Sequence, residues 1–332
     1  MTRDKVLAMI LRSDGYVSGE SISRELGITR AAVNAAVKQI KELGYDIESS
    51  TRKGYRLLSS PDLMNLGEIM ARLPEGRAGD VTVLDTVDST NTLLKEMARQ
   101  GAPAGSVVIS DEQTGGKGRR GRSFLSPSGT GIYLSYLMIP KGGREIISEV
   151  TAWTAVAVRE AVSEVCGVTC DIKWVNDPLI NNHKICGILT ELSVVAESGD
   201  IDNVIIGIGI NVNHKKEDFP EELRDIATSI SAECGGKIFA RAELAACLIG
   251  KLDELVAAWP AGKKEYLDRY REACITTGSK VSVFNLATDT PRTGEALGIN
   301  DDFSLQVRFD DTGEEESVRS GEVSVRGLYG YT

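Results

Sequence analysis

One ten-residue run constrains this chain more than any other feature; it extends from Gln113 to Arg122 and reads QTGGKGRRGR. Four glycines and four cations fill its last eight residues. Such a run cannot join a hydrophobic core, because glycine loses much conformational entropy on ordering and four like charges repel one another unless an anion lies among them. The run is therefore either a solvated surface loop or a mobile flap that becomes ordered around phosphate.

The same run contains a misleading motif, since Gly116 to Gly121 matches the G-x-G-x-x-G pattern of dinucleotide-binding proteins. That pattern functions only where a helix begins at the glycines and directs its N-terminal amides at a pyrophosphate. Pro127, Gly129 and Gly131 exclude a helix of useful length here. No acidic residue follows about 20 positions on to bind a ribose. The sequence therefore predicts a turn and then a strand, with no dinucleotide site.

Length and composition place the chain among globular proteins of two or three domains, with 332 residues and a hydrophobic fraction of 42%. The first residues do not resemble a signal peptide, and no apolar run approaches the roughly 18 residues of a membrane span. We expect a cytoplasmic protein. The six cysteines lack the spacing of a zinc site and are interpreted as buried free thiols, and two histidines are too few for a metal cluster.

The charge is unevenly distributed. The net charge is −10, yet residues 1–60 carry ten Lys and Arg against seven Asp and Glu, which leaves 28 against 41 for the rest of the chain. A basic head on an acidic body indicates different partners for the two parts.

The basic head has the pattern of a winged helix-turn-helix domain, predicted over 1–60 with the helix-turn-helix at about 19–38. A first helix is predicted over 4–13, and Gly27 separates a short helix from a longer one at 30–43. Two short strands at 45–48 and 54–57 would form the wing. A protein-interaction module of three helices is the alternative, but basic side chains fall on the second helix and the wing tip, which favours DNA binding. The proposed DNA contacts are Thr29, Arg30, Asn34, Lys38, Arg52 and Lys53.

A linker is predicted over 59–66, followed by a central domain from 66 to 275. Its first polar cluster is Ser89-Thr90-Asn91, which follows a predicted strand at 81–84 and precedes a predicted helix at 92–100. Each of these residues is an ordinary helix cap, so pure capping is one interpretation. Three in a row exceed what one cap requires, and the surplus groups could bind a small polar ligand at the positive end of the helix.

Further polar residues stand at the ends of apolar strands. The segment Lys173-Trp174-Val175-Asn176-Asp177 ends in an Asn-Asp-Pro turn, and Lys184 opens the next strand, predicted over 185–192. The strand at 204–213 contains two glycines, which allow another backbone or a flat ligand to approach closely. Long helices are predicted at 144–166, 240–258 and 262–274. Short β segments at 280–283, 294–299, 305–309 and 323–326 are typical of a small barrel spanning 277–332.

These segments together resemble the bifunctional biotin protein ligase and biotin operon repressor family along almost the whole chain. Five pieces in order carry the resemblance, framed by the predicted winged helix and terminal barrel. They are Asp88-Ser89-Thr90-Asn91, Gln113-Thr114 with 116–122, Lys173 to Asp177, Lys184 with Gly187-Ile188-Leu189-Thr190-Glu191, and Gly207-Ile208-Gly209-Ile210-Asn211.

The resemblance implies a multi-domain α+β fold: a winged helix-turn-helix, a central class II synthetase-like sheet with helices, and an SH3-like barrel. It also implies a two-step ligase. Biotin and Mg-ATP would give biotinyl-5′-adenylate and pyrophosphate, and a lysine of a biotin carboxyl carrier domain would then displace AMP. The domain at 1–60 would make the protein a repressor at operator DNA, dimeric when adenylate is bound.

The resemblance also implies roles for residues of this sequence. Biotin would be bound by Ser89, Thr90, Asn91, Gln113, Lys117, Gly118, Arg119 and Lys184. ATP and the adenylate would be bound by Arg119, Arg120, Arg122, Phe124, Lys173, Asn176 and Asn211. The catalytic groups would be Lys184, Arg119 and Asp177. No protein-bound metal is expected, because Mg²⁺ would arrive with ATP.

Three positions depart from the family pattern: Lys117 where Arg is usual, Val175 where Pro is usual, and Phe124 where Trp is common. A point charge at Lys117 cannot hold two oxygens as a guanidinium does. Two alternatives to the bifunctional ligase remain at this stage. A lipoate-type ligase would use the same adenylation but need a longer apolar slot, and a regulator responsive to biotinyl-AMP would have weak or no catalysis.

Overall fold

The computed structural model describes residues 2–140, 146–195, 200–285, 291–319 and 323–327. Its elements follow the chain as a helical head, a central mixed α/β region and a terminal β-sheet. No helix within these ranges is long and apolar enough to cross a bilayer.

The head contains three helices and a two-stranded sheet. Its elements are α1 (Thr2–Leu11), α2 (Gly19–Leu26), α3 (Arg30–Glu42), β1 (Asp46–Ser50) and β2 (Gly54–Ser59). Ser18 and Thr29 cap α2 and α3, each accepting a hydrogen bond from a backbone amide three residues on. Gly27 takes a left-handed conformation between these helices, with φ of 63°. The predicted helix, turn, helix and wing are therefore confirmed.

A helix that the sequence analysis did not predict follows the head. Residues 60–65 form neither helix nor strand, but α4 (Leu66–Arg72) begins where the linker was expected to end, with Asn65 as its N-cap. Helix α4 packs against α1, and the guanidinium of Arg12 donates to the carbonyls of Met70 and Ala71 at 2.6 and 3.1 Å. Seven residues are too few to show a helical period, which explains the omission.

The central region is built on a five-stranded sheet. Its strands are β3 (Val81–Val87), β4 (Val107–Gln113), β5 (Gly131–Met138), β9 (Cys186–Val194) and β10 (Ile201–Asn211), in the order β3-β4-β5-β10-β9. Strands β3 and β4 are parallel, and the other neighbours are antiparallel. The segment between β5 and β9 also contains a smaller antiparallel sheet. Its strands are β6 (Asp171–Lys173), β7 (Asp177–Ile180) and β8 (His183–Lys184).

Helices cover the two faces of the large sheet unequally. They are α5 (Thr90–Arg99), α6 (Ile146–Cys166), α7 (Ile230–Glu233), α8 (Arg241–Ala258) and α9 (Lys263–Ala273). The main core lies on the face that carries α6 and α8, and a small core of Leu94, Val108, Leu137 and Ile205 lies under α5. Because α5 covers only part of its face, the rest can form a site. Residues 144 and 145 of the predicted α6 lie outside the described residues.

The terminal region is one antiparallel sheet. Its strands are β11 (Lys280–Asn285), β12 (Pro291–Ile299), β13 (Leu305–Phe309), β14 (Glu315–Val318) and β15 (Val323–Gly327), in the order β14-β13-β12-β11-β15. Within the described residues β14 and β15 are edge strands and do not pair with each other, so the predicted closed barrel is not found. Trp174 anchors this sheet to the centre by donating from Nε1 to the carbonyl of Phe303 at 2.9 Å.

Candidate functional site

A cavity of about 600 Å³ opens on the part of the large sheet that α5 leaves uncovered. That volume is typical of a small-molecule site. All fifteen residues that the sequence analysis assigned to a ligand or to catalysis line it, although they come from distant parts of the chain. They are Ser89, Thr90, Asn91, Gln113, Lys117, Gly118, Arg119, Arg120, Arg122, Phe124, Lys173, Asn176, Asp177, Lys184 and Asn211.

The uncharged end of the cavity lies at the N-terminus of α5. Ser89 is the N-cap residue, but its side chain makes no capping hydrogen bond. The backbone amide of Thr90 donates to Gln113 Oε1 at 2.9 Å, and Thr90 Oγ1 lies 3.1 Å from the same oxygen. Pure capping is therefore wrong for Ser89, and these polar groups instead surround one corner of the cavity.

Two polar residues behind this corner, Glu191 and Ser135, were given no role by the sequence analysis. Asn91 Nδ2 donates to Glu191 Oε2 at 2.7 Å, and Asn91 Oδ1 lies 2.5 Å from Ser135 Oγ. Ser135 is fully buried on β5, where a hydroxyl interrupts an otherwise apolar strand. That interruption is the signal that could have identified it, because a buried hydroxyl requires a partner.

The glycine-rich run folds back on itself beside the cavity. The amide of Gly118 donates to the carbonyl of Arg122 at 2.7 Å, and the amide of Phe124 donates to the carbonyl of Gly116 at 2.9 Å. One turn of 3₁₀ helix, Arg119–Gly121, lies within the run, and extended chain follows it. No α-helix begins at these glycines, as predicted, so they lack the helix N-terminus that the dinucleotide fingerprint requires.

Glycines of β9 and β10 provide a flat floor on which the ring of Phe124 lies. A Cβ on Gly209 would stand 2.4 Å from Phe124 Cε1, and one on Gly187 would stand 3.1 Å from Cε2. Gly207 makes similar room for Asn91, since a Cβ there would be 2.2 Å from Oδ1. The glycines therefore admit flat groups against the sheet, as predicted for the strand at 204–213.

The opposite end of the cavity is charged. Lys184 Nζ lies 2.5 Å from Asp177 Oδ1, and Arg119 Nη1 donates to Asn176 Oδ1 at 2.6 Å. Burial lowers the pKa of the Arg119 guanidinium from its ordinary value, and Asp177 opposes that shift. Buried Lys173 also lines this end. The Arg119 guanidinium and the Lys184 ammonium group therefore converge on one polar pocket from separate elements.

The other cations of the run lie at the rim. Lys117, Arg120 and Arg122 are exposed, whereas Arg119 is half-buried. Lys117 Nζ donates to Thr92 Oγ1 at 2.8 Å. Of the four charges in the run, Arg119 is thus the one directed inward in this structure.

Asn211 lies at the charged end of the cavity, beside the segment 219–228, to which the sequence analysis gave no role. Asn211 Nδ2 donates to the carbonyl of Thr228 at 3.0 Å, and the backbone of Lys184 bonds to Ile226 and Thr228. Four apolar residues of this segment line the cavity: Phe219, Leu223, Ile226 and Ala227. No motif marks them, because their position depends on this long-range pairing.

The residues proposed to contact DNA occupy one exposed part of the head. Arg30 and Lys38 are exposed on α3, and Arg52 and Lys53 are exposed at the turn between β1 and β2. Thr29 and Asn34 are also exposed but have internal partners. Thr29 caps α3, and Asn34 Oδ1 accepts from the hydroxyl of Tyr55. The four cations are thus the side chains most available to a phosphate backbone.

All six cysteines are free thiols, as predicted, and four of them are buried while Cys234 and Cys247 are half-buried. Burial raises the pKa of the Cys166 and Cys170 thiols to about 12, which keeps both protonated and unreactive. Within the described ranges no group of three or more His, Cys, Asp or Glu side chains is arranged to hold a metal.

Comparisons with known proteins match two regions of the chain. Residues 83–211 match the model of the biotin/lipoate A/B protein ligase family, and residues 2–56 match an HTH domain model. The chain is 41% identical over 224 residues to the bifunctional ligase/repressor BirA of Bacillus subtilis, covering 67% of this chain and 68% of that protein. It is 28% identical over 323 residues to the protein of the same name from Escherichia coli, covering 97% and 96%.

Solved structures give a similar result. The biotin protein ligase from Aquifex aeolicus in complex with biotin and ATP superposes with a TM-score of 0.63 at 29% identity. The match covers 75% of this chain and 99% of that one. Most of this chain thus shares the fold of that ligase.

Proposed function

The chain belongs to the family of bifunctional biotin ligase/repressors, and we propose that it attaches biotin to a carrier protein in two steps. In the first step a biotin carboxylate oxygen bonds to the α-phosphorus of ATP, and pyrophosphate leaves. In the second step a lysine amine of a biotin carboxyl carrier domain bonds to the acyl carbon, the carbon–oxygen bond to phosphate breaks, and AMP leaves.

One observation carries this proposal: an uncharged hydrogen-bonding corner and a cationic end face each other across one cavity. Biotin has the matching asymmetry, since its ureido ring is uncharged and its carboxylate is anionic. The two reactants of the first step are both anions, so cations that offset their repulsion lower the barrier. Arg119 and Lys184 are placed at that end by different elements.

At the uncharged corner, Ser89, Thr90, Asn91 and Gln113 would hold the ureido ring. Their spacing is fixed by hydrogen bonds from Thr90 to Gln113 and from Asn91 to Glu191. The other proposed biotin contacts are Lys117, Gly118, Arg119 and Lys184. Arg119 and Lys184 belong to the cationic end, whereas Lys117 Nζ lies against Thr92 in the first turn of α5.

At the cationic end, Asn211, Asn176 and Lys173 would contact the adenylate, and Phe124 would cover it. Exposed Arg120 and Arg122 lie at the rim, where they can reach phosphate oxygens when the run closes. Closure would also exclude water from the mixed anhydride, which is prone to hydrolysis. This explains why the cations are carried on a glycine-rich run and not on a helix.

The proposed catalytic groups divide the chemistry. Lys184 and Arg119 would stabilise charge that develops on the α-phosphate and the carboxylate. Asp177, through its 2.5 Å contact, would orient Lys184. Asp177 is the one carboxylate among the described residues of the cavity wall, and it is already paired, so Mg²⁺ would be held by the phosphates of ATP.

We further propose that residues 1–60 bind operator DNA and regulate the genes of biotin synthesis. Exposed cations on α3 and at the turn of the two-stranded sheet support this. A winged-helix reader commonly binds two half-sites, so the adenylate-bound protein would act as a homodimer. Residues 66–275 would form the ligase domain with a class II synthetase-like sheet, and 277–332 would form an SH3-like domain.

The adenylation step tests the ligase directly. Purified protein with biotin, Mg²⁺ and radiolabelled ATP should form biotinyl-5′-adenylate and pyrophosphate, and excess lipoate should not compete. Absence of the adenylate would refute the enzyme, and efficient competition by lipoate would favour the lipoate-type alternative.

A further inference from the structure

Glu191 does not line the cavity, yet hydrogen bonds join it to the corner that does. Asn91 Nδ2 donates to its carboxylate at 2.7 Å, and Asn91 Oδ1 lies 2.5 Å from Ser135 Oγ. Ser135 Oγ lies 2.8 Å from Oγ1 of Thr90, a residue that lines the cavity. Glu191 accepts the hydrogen bond from Asn91 through Oε2, and an ionised carboxylate has no proton to donate in return.

The carboxylate determines which way round the Asn91 amide lies. An ionised carboxylate accepts and cannot donate, so Asn91 must direct its NH₂ group toward Glu191. Oδ1 then points the other way, into the space that Gly207 leaves and toward Ser135. The orientation of the amide is thus set by charge and not by shape, because the two ends of an amide have nearly the same size.

The hydroxyl protons follow from this orientation. Three oxygen–oxygen contacts lie in series: Asn91 to Ser135 at 2.5 Å, Ser135 to Thr90 at 2.8 Å, and Thr90 to Gln113 at 3.1 Å. Two hydroxyls supply only two protons. Asn91 Oδ1 can only accept, so the Ser135 hydroxyl donates toward it and toward Thr90 Oγ1. The Thr90 hydroxyl donates to Gln113 Oε1, which leaves the lone pairs of Thr90 Oγ1 as acceptors.

We propose that Glu191 is a positioning residue that fixes this polarity and so presents Thr90 Oγ1 to the ligand as a hydrogen-bond acceptor. This rests on the proposed biotin activity, and it adds a basis for specificity. A ureido N–H can donate to Thr90, whereas a ligand with an acceptor at that point faces a lone pair. Reversing the direction of the hydrogen bonds between Asn91, Ser135 and Thr90 removes this discrimination, because a site built for one hydrogen-bond polarity rejects the other.

The test is Glu191→Gln, which preserves shape but lets the Asn91 amide lie either way. The KM for biotin should rise about tenfold, while kcat and the KM for ATP stay within about twofold, because one oriented hydrogen bond is lost. The control is Glu112→Gln, a carboxylate of β4 that accepts from Thr86 outside this chain of contacts. It should leave the KM for biotin unchanged.

A biotin analogue methylated at a ureido nitrogen separates polarity from general damage. Wild type should prefer biotin, and Glu191→Gln should reduce that preference about tenfold. Ser135→Ala breaks the same series of contacts at another point and should have the same effect. The variant with both Glu191→Gln and Ser135→Ala should lose no more of the preference for biotin than either single variant, because both substitutions disrupt the same series of hydrogen bonds.

Unchanged biotin KM and unchanged preference in both single variants would overturn the proposal while the ligase assignment stands. Additive losses, or a fall in kcat with equal losses for biotin and its analogue, would also overturn it, since they indicate structural damage. Failure of the wild type to adenylate biotin overturns the proposed function and this inference with it.

Discussion

The ring of Phe124 rests on Gly209 so closely that a Cβ at that position would stand 2.4 Å from Cε1. Phe124 follows the glycine-rich run, and Gly209 lies in the middle of β10. The two residues are 85 positions apart, and their contact places Phe124, just after the glycine-rich run, on the floor of the cavity. The space that Gly209 leaves is therefore what lets Phe124 lie there.

Gly209→Ala should displace Phe124 and weaken the retention of the adenylate. We expect the dissociation rate of biotinyl-5′-adenylate to rise about tenfold or more, as a cover over the intermediate is lost. Stopped-flow measurement of adenylate release checks this. The matched control is Gly250→Ala in α8, where a Cβ meets nothing within 4 Å and helix propensity favours alanine. An unchanged dissociation rate in Gly209→Ala would contradict the proposed role of Phe124.

Lys184→Ala should lower the rate of adenylation about 100-fold, because it removes a charge that offsets the repulsion between two anions. It also removes the ammonium group that lies 2.5 Å from the half-buried Asp177 carboxylate. Single-turnover kinetics with saturating biotin and ATP give the rate. Lys216→Ala, an exposed lysine on the segment beside the cavity, is the control and should retain full rate. Unchanged turnover in Lys184→Ala would favour a regulator whose site is catalytically idle.

Arg241→Met should destabilise the fold by about 3–5 kcal/mol, because it removes the buried cation that pairs with the carboxylates of Asp62 and Asp111. Arg241 is 1% exposed, donates to Asp62 at 2.8 Å and to Asp111 at 2.5 Å, and so ties the segment after the head to the central sheet. Urea unfolding measures the loss. Arg308→Met breaks an exposed pair with Glu315 and should have a much smaller effect, because solvent screens that pair. Equal effects of the two substitutions would be evidence against a buried network.

His214 should make stability depend on pH in the weakly acidic range. Burial lowers its pKa to about 4, whereas an unfolded histidine titrates near 6.5. Below pH 6.5 the unfolded chain binds a proton that the folded chain does not, so the free energy of unfolding falls as pH falls toward 4. Between pH 6.5 and 5 the loss from this group should be roughly 2 kcal/mol. His214→Gln should remove it, and parallel pH curves for the two proteins would show that the histidine is not responsible.

Arg30→Ala and Lys38→Ala should each weaken operator binding and reduce the slope of log affinity against log salt by about 0.9, without affecting ligase activity. Fluorescence anisotropy over a range of salt concentrations measures both quantities. Lys264→Ala, an exposed lysine on α9, should change neither. DNA affinity that is insensitive to Arg30 and Lys38 would place the DNA-binding surface elsewhere.

Local patterns predicted much of this architecture. Cap residues such as Thr29 and glycine stops such as Gly27 marked the helices of the head, because these signals act within one turn. The residues predicted to bind a ligand were chosen from short motifs, and the fold brings them around one cavity. Their mutual positions, such as Arg119 beside Asn176, could not be obtained from spacing, since each contact depends on how the strands pair.

Features that depend on distant contacts were missed. Arg241 reads locally as an ordinary helix start, yet its charge is buried because Asp62 and Asp111 arrive from other elements. Phe219 and Ile226 belong to a segment without periodicity, and they reach the cavity through backbone pairing with Lys184. Strand β14 is too short and polar to show alternation. The prediction of a closed barrel assumed that the outer strands meet, which pairing in the described residues does not support.

A mass spectrum of an acceptor protein shows whether this chain transfers biotin to a lysine. A biotin carboxyl carrier domain incubated with this protein, biotin and Mg-ATP should gain the mass of one biotinyl group on one lysine. The gain should depend on ATP and be lost when the acceptor lysine is replaced by arginine. An acceptor of unchanged mass, under conditions where a known biotin ligase modifies it fully, would contradict the account.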